Sequence, residues 1–311
     1  MKTRKLVLII ADIVLLAVCI VQGVLALRET TKYFELKDGV IDEILIDTPE
    51  EKGITVIKEN GQWYVGKQKY EANQSTVDSF ISAMSSIRVL DKVGSTGNEA
   101  VLERYELNDL KKTTVTAKGG GKVLRTIEIG KKAMSDTQAY ITVDGGKDIY
   151  LATGNLPYIF DTITSAIRTE IVMQLEPADI TSVTTIKPDG ETWTLSRMGN
   201  GEDVAWNITD AAGTAETFEI DSEAASTWFS VVSFLNTKKW YEDYEKPEGT
   251  LALTLKIEHA FQTAVLEFYA LPEDDQSQQE YYGKYSGSPY LFQVHKSTFD
   301  KFVKETGDFA K

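Results

Sequence analysis

Two similar residue patterns, one in each half of the chain, constrain the fold most strongly. Asn73 is suited to cap a helix whose apolar residues recur at helical spacing as far as Ile87, and Asp221 is suited to cap a similar helix that ends at Leu235. The two caps are 148 residues apart, and so are the two last apolar positions. We therefore predict an internal duplication, with its boundary near residues 170–178.

Short runs of alternating apolar and polar residues lie before and after each of these predicted helices. A period of two is typical of strands, and turn sequences such as Gly119-Gly120-Gly121 separate the runs. Each half ends in another predicted helix, over 156–167 in the first and 297–305 in the second. We predict two similar domains, 35–170 and 178–311, each a mainly antiparallel sheet with helices on one face.

An apolar segment near the N-terminus has the length of a membrane span. From Leu6 to Leu27 only two residues are strongly polar, and a helix of this length spans about 33 Å, close to a hydrocarbon core of roughly 30 Å. We predict a transmembrane anchor at 6–27 after a short tail at 1–5. A signal peptide cleaved after Ala26 is the alternative. A lipoprotein is disfavoured, because Val18 stands before Cys19 where a small residue is required. The predicted fold class is thus α+β, with an N-terminal transmembrane helix followed by two similar domains.

The charges beside this segment predict its orientation. Counting the terminal amine, four positive charges precede the segment and three basic residues follow it closely, so we expect a cytoplasmic N-terminus and an extracytoplasmic bulk. Cys19, the only cysteine, lies inside the segment, so the exported part would hold no disulfide, as is typical of exported bacterial proteins. The predicted location is the cell membrane, which the chain crosses once.

The overall charge limits the kinds of partner. The formal net charge is −14 at pH 7. An acidic surface repels phosphate backbones, so we predict no nucleic-acid partner. Attraction to basic partners and a purely solubilising role of the charge both remain open.

The usual signatures of catalysis and cofactor binding are missing from the sequence. His259 and His295 lie in or beside predicted strands, and neither has a second ligand at the spacing that a metal site requires. The glycines at 119–121 belong to a hairpin turn, and the cysteine lies in the predicted anchor. Acidic residues are numerous enough to leave a catalytic carboxylate pair open. We predict no catalytic residue, cofactor or metal, and expect that the protein is not an enzyme.

Aromatic residues are concentrated around the predicted edge strands of the second half. Exposed rings beside carboxylates are suited to hold a glycan or a partner strand, whereas alternate tyrosines along a strand can equally face the core. Both interpretations stay open at this point. The possible partner or ligand surface consists of Trp240, Tyr241, Tyr244, Tyr281, Tyr282 and Tyr285.

Several short motifs of the first half resemble one known family. They are the helix that runs into Val89, the segment Leu102-Glu-Arg-Tyr105-Glu-Leu107, the segment Ile127-Glu-Ile-Gly130 followed by Tyr140, and Ile149-Tyr150-Leu151. Together they resemble the domain of unknown function 4340, well over about 130 residues and loosely over the second half. Two positions depart from the family pattern, since Glu106 replaces a glycine and Leu110 stands where a proline is common.

The resemblance implies a role in the cell envelope. Proteins of this kind often accompany ABC-type export systems linked to gliding motility. The first hypothesis is therefore a non-catalytic, extracytoplasmic auxiliary or scaffold subunit whose partners are membrane-transporter subunits or other envelope proteins. The alternative is a module that binds an envelope glycan or another small ligand, and the third hypothesis is an envelope hydrolase.

Overall fold

The chain folds into two compact units, Met1–Thr169 and Glu170–Lys311. The computed structural model describes residues 15, 32–199, 204–242, 245, 247–272 and 279–311. The transmembrane anchor predicted at 6–27 lies outside these described residues, apart from Leu15.

The predicted fold class is wrong, because antiparallel sheet dominates both units and the helices are short. The longest helix that the structure describes, Gln74–Ser85, has 12 residues. No helix within the described ranges is long and apolar enough to cross a membrane. Within the described residues, each unit is therefore a large antiparallel sheet that carries a few short helices.

Two predicted helices are shorter than expected because other groups interrupt them. The helix predicted over 156–167 is divided into Leu156–Phe160 and Thr164–Ile167. The carboxylate of Glu51, more than a hundred residues earlier in the chain, accepts hydrogen bonds from the backbone N–H and the hydroxyl of Thr164, at 2.9 and 2.5 Å. These bonds hold Thr164 at the start of a separate helix. Because Glu51 is so distant along the chain, local periodicity cannot predict this break.

The last predicted helix also ends early. It covers Lys296–Phe302 instead of 297–305, and Val303 is extended. The chain then forms a 3-10 turn at Thr306–Phe309, where the side chains of Glu305 and Asp308 bond reciprocally to each other's backbone N–H groups. This capping box stabilises a new start in place of a continued helix.

The first unit contains one ten-stranded sheet, in which all neighbours are antiparallel. Its strands are β1 (Lys32–Glu35), β2 (Glu43–Asp47), β3 (Ile54–Glu59), β4 (Gln62–Val65), β5 (Tyr70–Glu71), β6 (Ser86–Ser95), β7 (Thr113–Gly119), β8 (Lys122–Lys132), β9 (Gln138–Val143) and β10 (Asp148–Thr153). Their order across the sheet is β1-β6-β10-β9-β8-β7-β2-β3-β4-β5. Between residues 32 and 169 the helices are α1 (Gln74–Ser85), α2 (Glu99–Arg104), α3 (Leu156–Phe160) and α4 (Thr164–Ile167).

The second unit contains an eight-stranded sheet and a separate two-stranded sheet. Its strands are β11 (Ile171–Gln174), β12 (Ile180–Ile186), β13 (Thr192–Met198), β14 (Ala205–Asp210), β15 (Phe234–Asn236), β16 (Lys239–Trp240), β17 (Thr250–His259), β18 (Gln262–Ala270), β19 (Glu280–Tyr285) and β20 (Phe292–His295). The large sheet has the order β14-β13-β12-β17-β18-β19-β20-β16, and β11 pairs with β15. The α-helices are α5 (Ser222–Val232) and α6 (Lys296–Phe302).

The two units share one strand order. Read in chain order, β2 to β4 correspond to β12 to β14, and β7 to β10 correspond to β17 to β20. The strand that follows the long helix is β6 in the first unit, and β15 together with β16 in the second. The edge strand β1 pairs with the start of β6 in the way that β11 pairs with β15. The small sheet of the second unit is thus the counterpart of the edge of the first sheet.

Thr237 separates this small sheet from the large one. Its hydroxyl oxygen lies 2.6 and 3.0 Å from the carbonyl oxygens of Lys239 and Gln293. The same oxygen accepts the backbone N–H groups of Lys239 and Gln293 at 3.0 and 3.2 Å. Thr237 is buried, so its side chain satisfies backbone groups at the point where the strand breaks.

The long helix of each unit packs on one face of its sheet. In the first unit, Phe80 of α1 is buried and its ring stacks on Phe160 at 5.3 Å. In the second, Trp228 of α5 lies against Trp193 and Phe309, with ring centroids 5.5 Å apart in each case. These large buried rings fill the space between helix and sheet and mark the centre of each core.

The start of each long helix is bonded to the end of its own unit. The backbone N–H of Asn73, the N-cap of α1, donates to the carbonyl of Ile167 at 2.8 Å. The N–H of Asp221, the N-cap of α5, donates to the carbonyl of Phe309 at 2.7 Å. The same closing bond therefore occurs in both units.

Candidate binding surface of the second unit

Strand β19 distributes the predicted tyrosines between the two faces of the sheet. The ring of Tyr281 stacks on Phe299 at 3.8 Å and belongs to the hydrophobic core. The ring of Tyr282 lies on the opposite, outer face, where it stacks on Tyr269 at 4.7 Å with nearly parallel planes. This alternation follows from the pleat of a strand, in which neighbouring side chains point to opposite faces.

Three more of the predicted residues can be placed. Trp240 and Tyr285 are partly buried against the core, and Trp240 contacts Phe292 edge to face. Tyr241 packs edge to face on Tyr282 at 6.5 Å. The structure therefore brings Tyr241 and Tyr282 together on the outer face, and it places Trp240, Tyr281 and Tyr285 on the core side. Tyr244 lies outside the described residues.

Sequence reasoning missed Tyr269, the central residue of the outer cluster. In the register of β18 with β19, Tyr269 lies opposite Tyr282, and Glu267 lies opposite Lys284. The alternation of β18 predicts Glu267 and Tyr269 as outward residues, since Leu266 and Phe268, which alternate with them, are apolar and buried. What the sequence left unspecified was the register that sets one tyrosine against the other.

Two side chains of opposite charge, Glu267 and Lys284, contact Tyr269. This hydroxyl donates to the carboxylate of Glu267 at 2.7 Å, and the Nζ atom of Lys284 lies 4.7 Å from the centre of the ring. Burial, followed by the hydrogen bond to Glu267 and its negative charge, raises the pKa of Tyr269 to about 12. Burial also raises the pKa values of Tyr241 and Tyr282. The tyrosines of this cluster are neutral at physiological pH and present hydroxyl groups.

Acidic and basic side chains, paired with each other, border these tyrosines. Glu280 pairs with Lys238, and the Nδ1 atom of His295 lies 3.2 Å from the same carboxylate. Lys239 pairs with Glu245 at 3.2 Å, and its Nζ atom lies 5.1 Å from the centre of the Tyr241 ring. We call Tyr241, Tyr269 and Tyr282 with this border the outer tyrosine cluster. An aromatic centre with a charged rim is the composition typical of protein interfaces.

The two histidines and the glycine run considered in the sequence can be placed in the same way. No group of three or more potential metal ligands occurs within the described ranges. His259 ends β17 opposite Gln262, and His295 is the N-cap residue of α6, so they lie in different elements. Gly120 and Gly121 have positive φ values and form the turn between β7 and β8. The glycine run is therefore used by a hairpin.

The motifs that carry the family resemblance meet at one place in the first unit. The ring of Tyr105, which follows α2, lies 4.3 Å from that of Tyr140 on β9. The carbonyl of Tyr105 accepts the N–H of Lys131 at 3.0 Å, and Leu107 is buried. A Cβ atom on Gly130 would lie 2.1 Å from this carbonyl oxygen, so the close approach requires glycine. The motif therefore attaches the α2 segment to the sheet.

The fold and this motif define a class of protein with two antiparallel sheet units that share one strand order. The chain belongs to the family of the domain of unknown function DUF4340, whose model matches residues 63–251. The match begins in β4, includes the motif around Tyr105 and Gly130, and ends at the start of β17. The resemblance inferred from the motifs is thereby confirmed. No curated protein and no solved structure matches the chain.

Proposed function

We propose that the protein is a non-catalytic auxiliary subunit that binds a partner protein through the outer tyrosine cluster of its second unit. The observation that carries this proposal is the clustering of Tyr241, Tyr269 and Tyr282 on the outer face, inside a rim of charged pairs. Tyrosine is enriched at the centres of interfaces because its ring covers much apolar area and its hydroxyl still bonds to water or to a partner.

A comparison of the outer faces of the two units supports this proposal. There the outward ring of Tyr140 is covered by Tyr105 from the chain's own α2 segment. In the second unit Tyr269 and Tyr282 stack on each other, and both Tyr241 and Tyr269 remain partly exposed. The outer face of the first unit is thus covered at Tyr140 by its own chain, whereas the aromatic cluster on the outer face of the second unit remains partly exposed.

For the partner we propose subunits of an ABC-type transport system of the cell envelope, with the globular part on the extracytoplasmic side. This proposal rests on the family resemblance of the sequence. The acidic net charge of −14 favours a partner whose contact surface is basic.

The test is an affinity purification of the tagged full-length protein from membranes of its own cells, solubilised in mild detergent. We expect transporter subunits to be recovered with the wild-type protein. Recovery should fall at least about tenfold with Tyr241→Ala, since truncating an aromatic hot spot of an interface costs about 2 kcal/mol or more.

The matched control is Tyr158→Ala, which removes an exposed tyrosine of the first unit. It should leave the recovery unchanged, and circular dichroism should show that both variants are folded. The absence of transporter subunits from the wild-type eluate would reject the proposed partner. Equal recovery with Tyr241→Ala and with the wild type would reject the proposed surface.

A further inference from the structure

A cleft lies beside the outer tyrosine cluster, where β18 begins and β19 ends. Its volume is about 480 Å³. Strand residues form one wall, and the loop between β19 and β20 forms the other. The cleft is lined by Val265, Glu267, Lys284, Tyr285, Ser286, Ser288, Pro289, Tyr290 and Leu291.

Hydrogen bonds fix the loop that forms the outer wall. The N–H of Ser286 donates to the carbonyl of Val265 at 2.9 Å, and the hydroxyl oxygen of Ser286 accepts the N–H of Val265 at 2.9 Å. The hydroxyl oxygen of Ser288 accepts the N–H of Tyr290 at 3.3 Å. A wall held in this way is formed before any ligand arrives, which lowers the entropy cost of binding.

The rings in the cleft are also held in place. Tyr290 lies edge to face against Trp240 at 6.4 Å. A Cβ atom on Gly287 would lie within 2.8 Å of the Tyr285 ring, so the loop backbone passes directly over that ring. The supported ring of Tyr290 gives the cleft an apolar surface, whereas the ring of Tyr285 packs against the core and supports the loop from below. Burial raises the pKa of Tyr285.

One carboxylate and one ammonium supply the charged groups of the cleft. Glu267 on β18 lies opposite Lys284 on β19, so an acceptor and a donor occur side by side in the lining. One carboxylate oxygen of Glu267 accepts the hydroxyl of Tyr269. Their charges cancel, which favours a ligand without net charge. A phosphate or another anion would meet one lysine and an equally close carboxylate, and its binding would gain little.

We infer that this cleft binds a neutral saccharide of one or two rings. Pyranose rings have apolar C–H faces that pack on tyrosine, and hydroxyl edges that both donate to a carboxylate and accept from an ammonium. The volume lies within the range of about 300–1,000 Å³ that is typical of small-ligand sites. This inference goes beyond the proposed subunit role, because it concerns a different ligand and a separate cleft. The two sites adjoin at Glu267 and Lys284, which also contact Tyr269.

The experiment titrates the full-length protein with cellobiose, maltose and N,N′-diacetylchitobiose in an isothermal titration calorimeter. We expect at least one disaccharide to bind with a Kd of about 1 mM or tighter. Lys284→Met keeps the aliphatic stem of an exposed side chain and removes the ammonium donor, so it should weaken this binding at least about tenfold. Tyr290→Ala should weaken it by at least as much.

Matched variants keep the outcome decisive. Tyr158→Ala and Tyr241→Ala lie outside the cleft lining and should leave the affinity for the disaccharide unchanged. Loss of partner recovery with Tyr241→Ala and intact saccharide binding would separate the two proposals. Lack of binding of all three disaccharides would overturn the inference, and so would equal affinity of the wild type and Lys284→Met.

Discussion

The carbonyl oxygen of Tyr105 approaches the Cα atom of Gly130 so closely that no side chain fits between them. A Cβ atom on Gly130 would lie 2.1 Å from that oxygen and 3.0 Å from Cγ of Leu107. The backbone of the α2 segment thereby rests directly on β8, and the ring of Tyr105 covers Tyr140. Two motifs that carry the family resemblance are thus explained by a single contact.

This contact predicts that Gly130→Ala destabilises the first unit. The added methyl group must displace backbone, and overpacking of this kind costs about 1–3 kcal/mol. The free energy of unfolding, measured by chemical denaturation, should fall by that amount. Gly97→Ala is the control, because its Cβ atom would have no neighbour closer than 4.0 Å. A similar change in both variants would contradict the prediction.

Glu106, the residue after Tyr105, offers a stabilising substitution. Glu106 has a φ of 58°, in the left-handed region where a side chain costs about 1 kcal/mol or more, and this is the position where the family has glycine. Glu106→Gly should raise the free energy of unfolding by about 1 kcal/mol. Glu106→Ala removes the same charge and keeps the strain, so it should not stabilise. Equal effects of the two changes would point to charge instead of backbone strain.

Thr237 and Thr185 form a matched pair of buried threonines in the second unit. The hydroxyl of Thr237 satisfies backbone groups of Lys239 and Gln293, whereas that of Thr185 is buried without a hydrogen-bond partner within the described ranges. Thr237→Val should destabilise by about 1–3 kcal/mol, because buried N–H groups lose their acceptor.

The second variant, Thr185→Val, should be neutral or stabilise by up to about 1 kcal/mol, because it removes an unsatisfied polar atom and keeps the shape of the side chain. Urea denaturation of both variants gives the comparison. Equal destabilisation would refute the assigned role of the Thr237 hydroxyl at the strand break.

The end of the chain is predicted to stabilise the whole second unit. Phe309 is buried against Trp193 and Trp228, and its carbonyl accepts the N–H of Asp221 at the start of α5. Phe309→Ala should lower the free energy of unfolding by about 3–5 kcal/mol. Tryptophan fluorescence should report the transition, since two indoles lose their packing. An unchanged denaturation midpoint would show that the C-terminal turn contributes nothing to this core.

The outer tyrosine cluster predicts a stability change at high pH. The pKa of Tyr269 is raised to about 12 in the folded state, against about 10 in an unfolded chain. Its stabilising contribution is fully present below pH 10 and is lost as the pH rises towards 12, because the unfolded state loses its proton first. The difference in tyrosinate absorbance between the wild type and Tyr269→Phe should show a titration near pH 12.

Replacing Glu267 tests the cause of this shift. Glu267→Gln removes the negative charge beside the hydroxyl, so the titration of Tyr269 should move towards lower pH. An ordinary titration of Tyr269 near pH 10 in the wild-type protein would contradict the structure of the cluster.

Local patterns in the sequence determined the caps and the strand faces. Asn73 and Asp221 are the N-cap residues of the two long helices, and their side chains accept backbone N–H groups of Thr76 and Glu223, which confirms those predictions. The alternation along β19 likewise reflects the pleat. These features depend on residues a few positions apart, and a single sequence contains that information.

Only the tertiary structure decided where elements stop and which side chains meet. Glu51 interrupts the helix predicted over 156–167, and Gln293 supplies the partner groups that bind Thr237 at the strand break. Arg125 is buried among core residues because its guanidinium donates to the carbonyls of Phe34 and Met84. In each case the deciding group lies 40 or more residues away along the chain, beyond the reach of any local period.

The same division applies to the candidate surface. The sequence determined that aromatic residues crowd β19 and its neighbours, and the period of two determined that Tyr281 and Tyr282 face opposite sides. The register of β18 with β19 decided that Tyr269 meets Tyr282 and that Glu267 meets Lys284. Register is a pairing between separate strands, fixed by burying one face of the sheet in a common core, so it arises only when the whole unit folds.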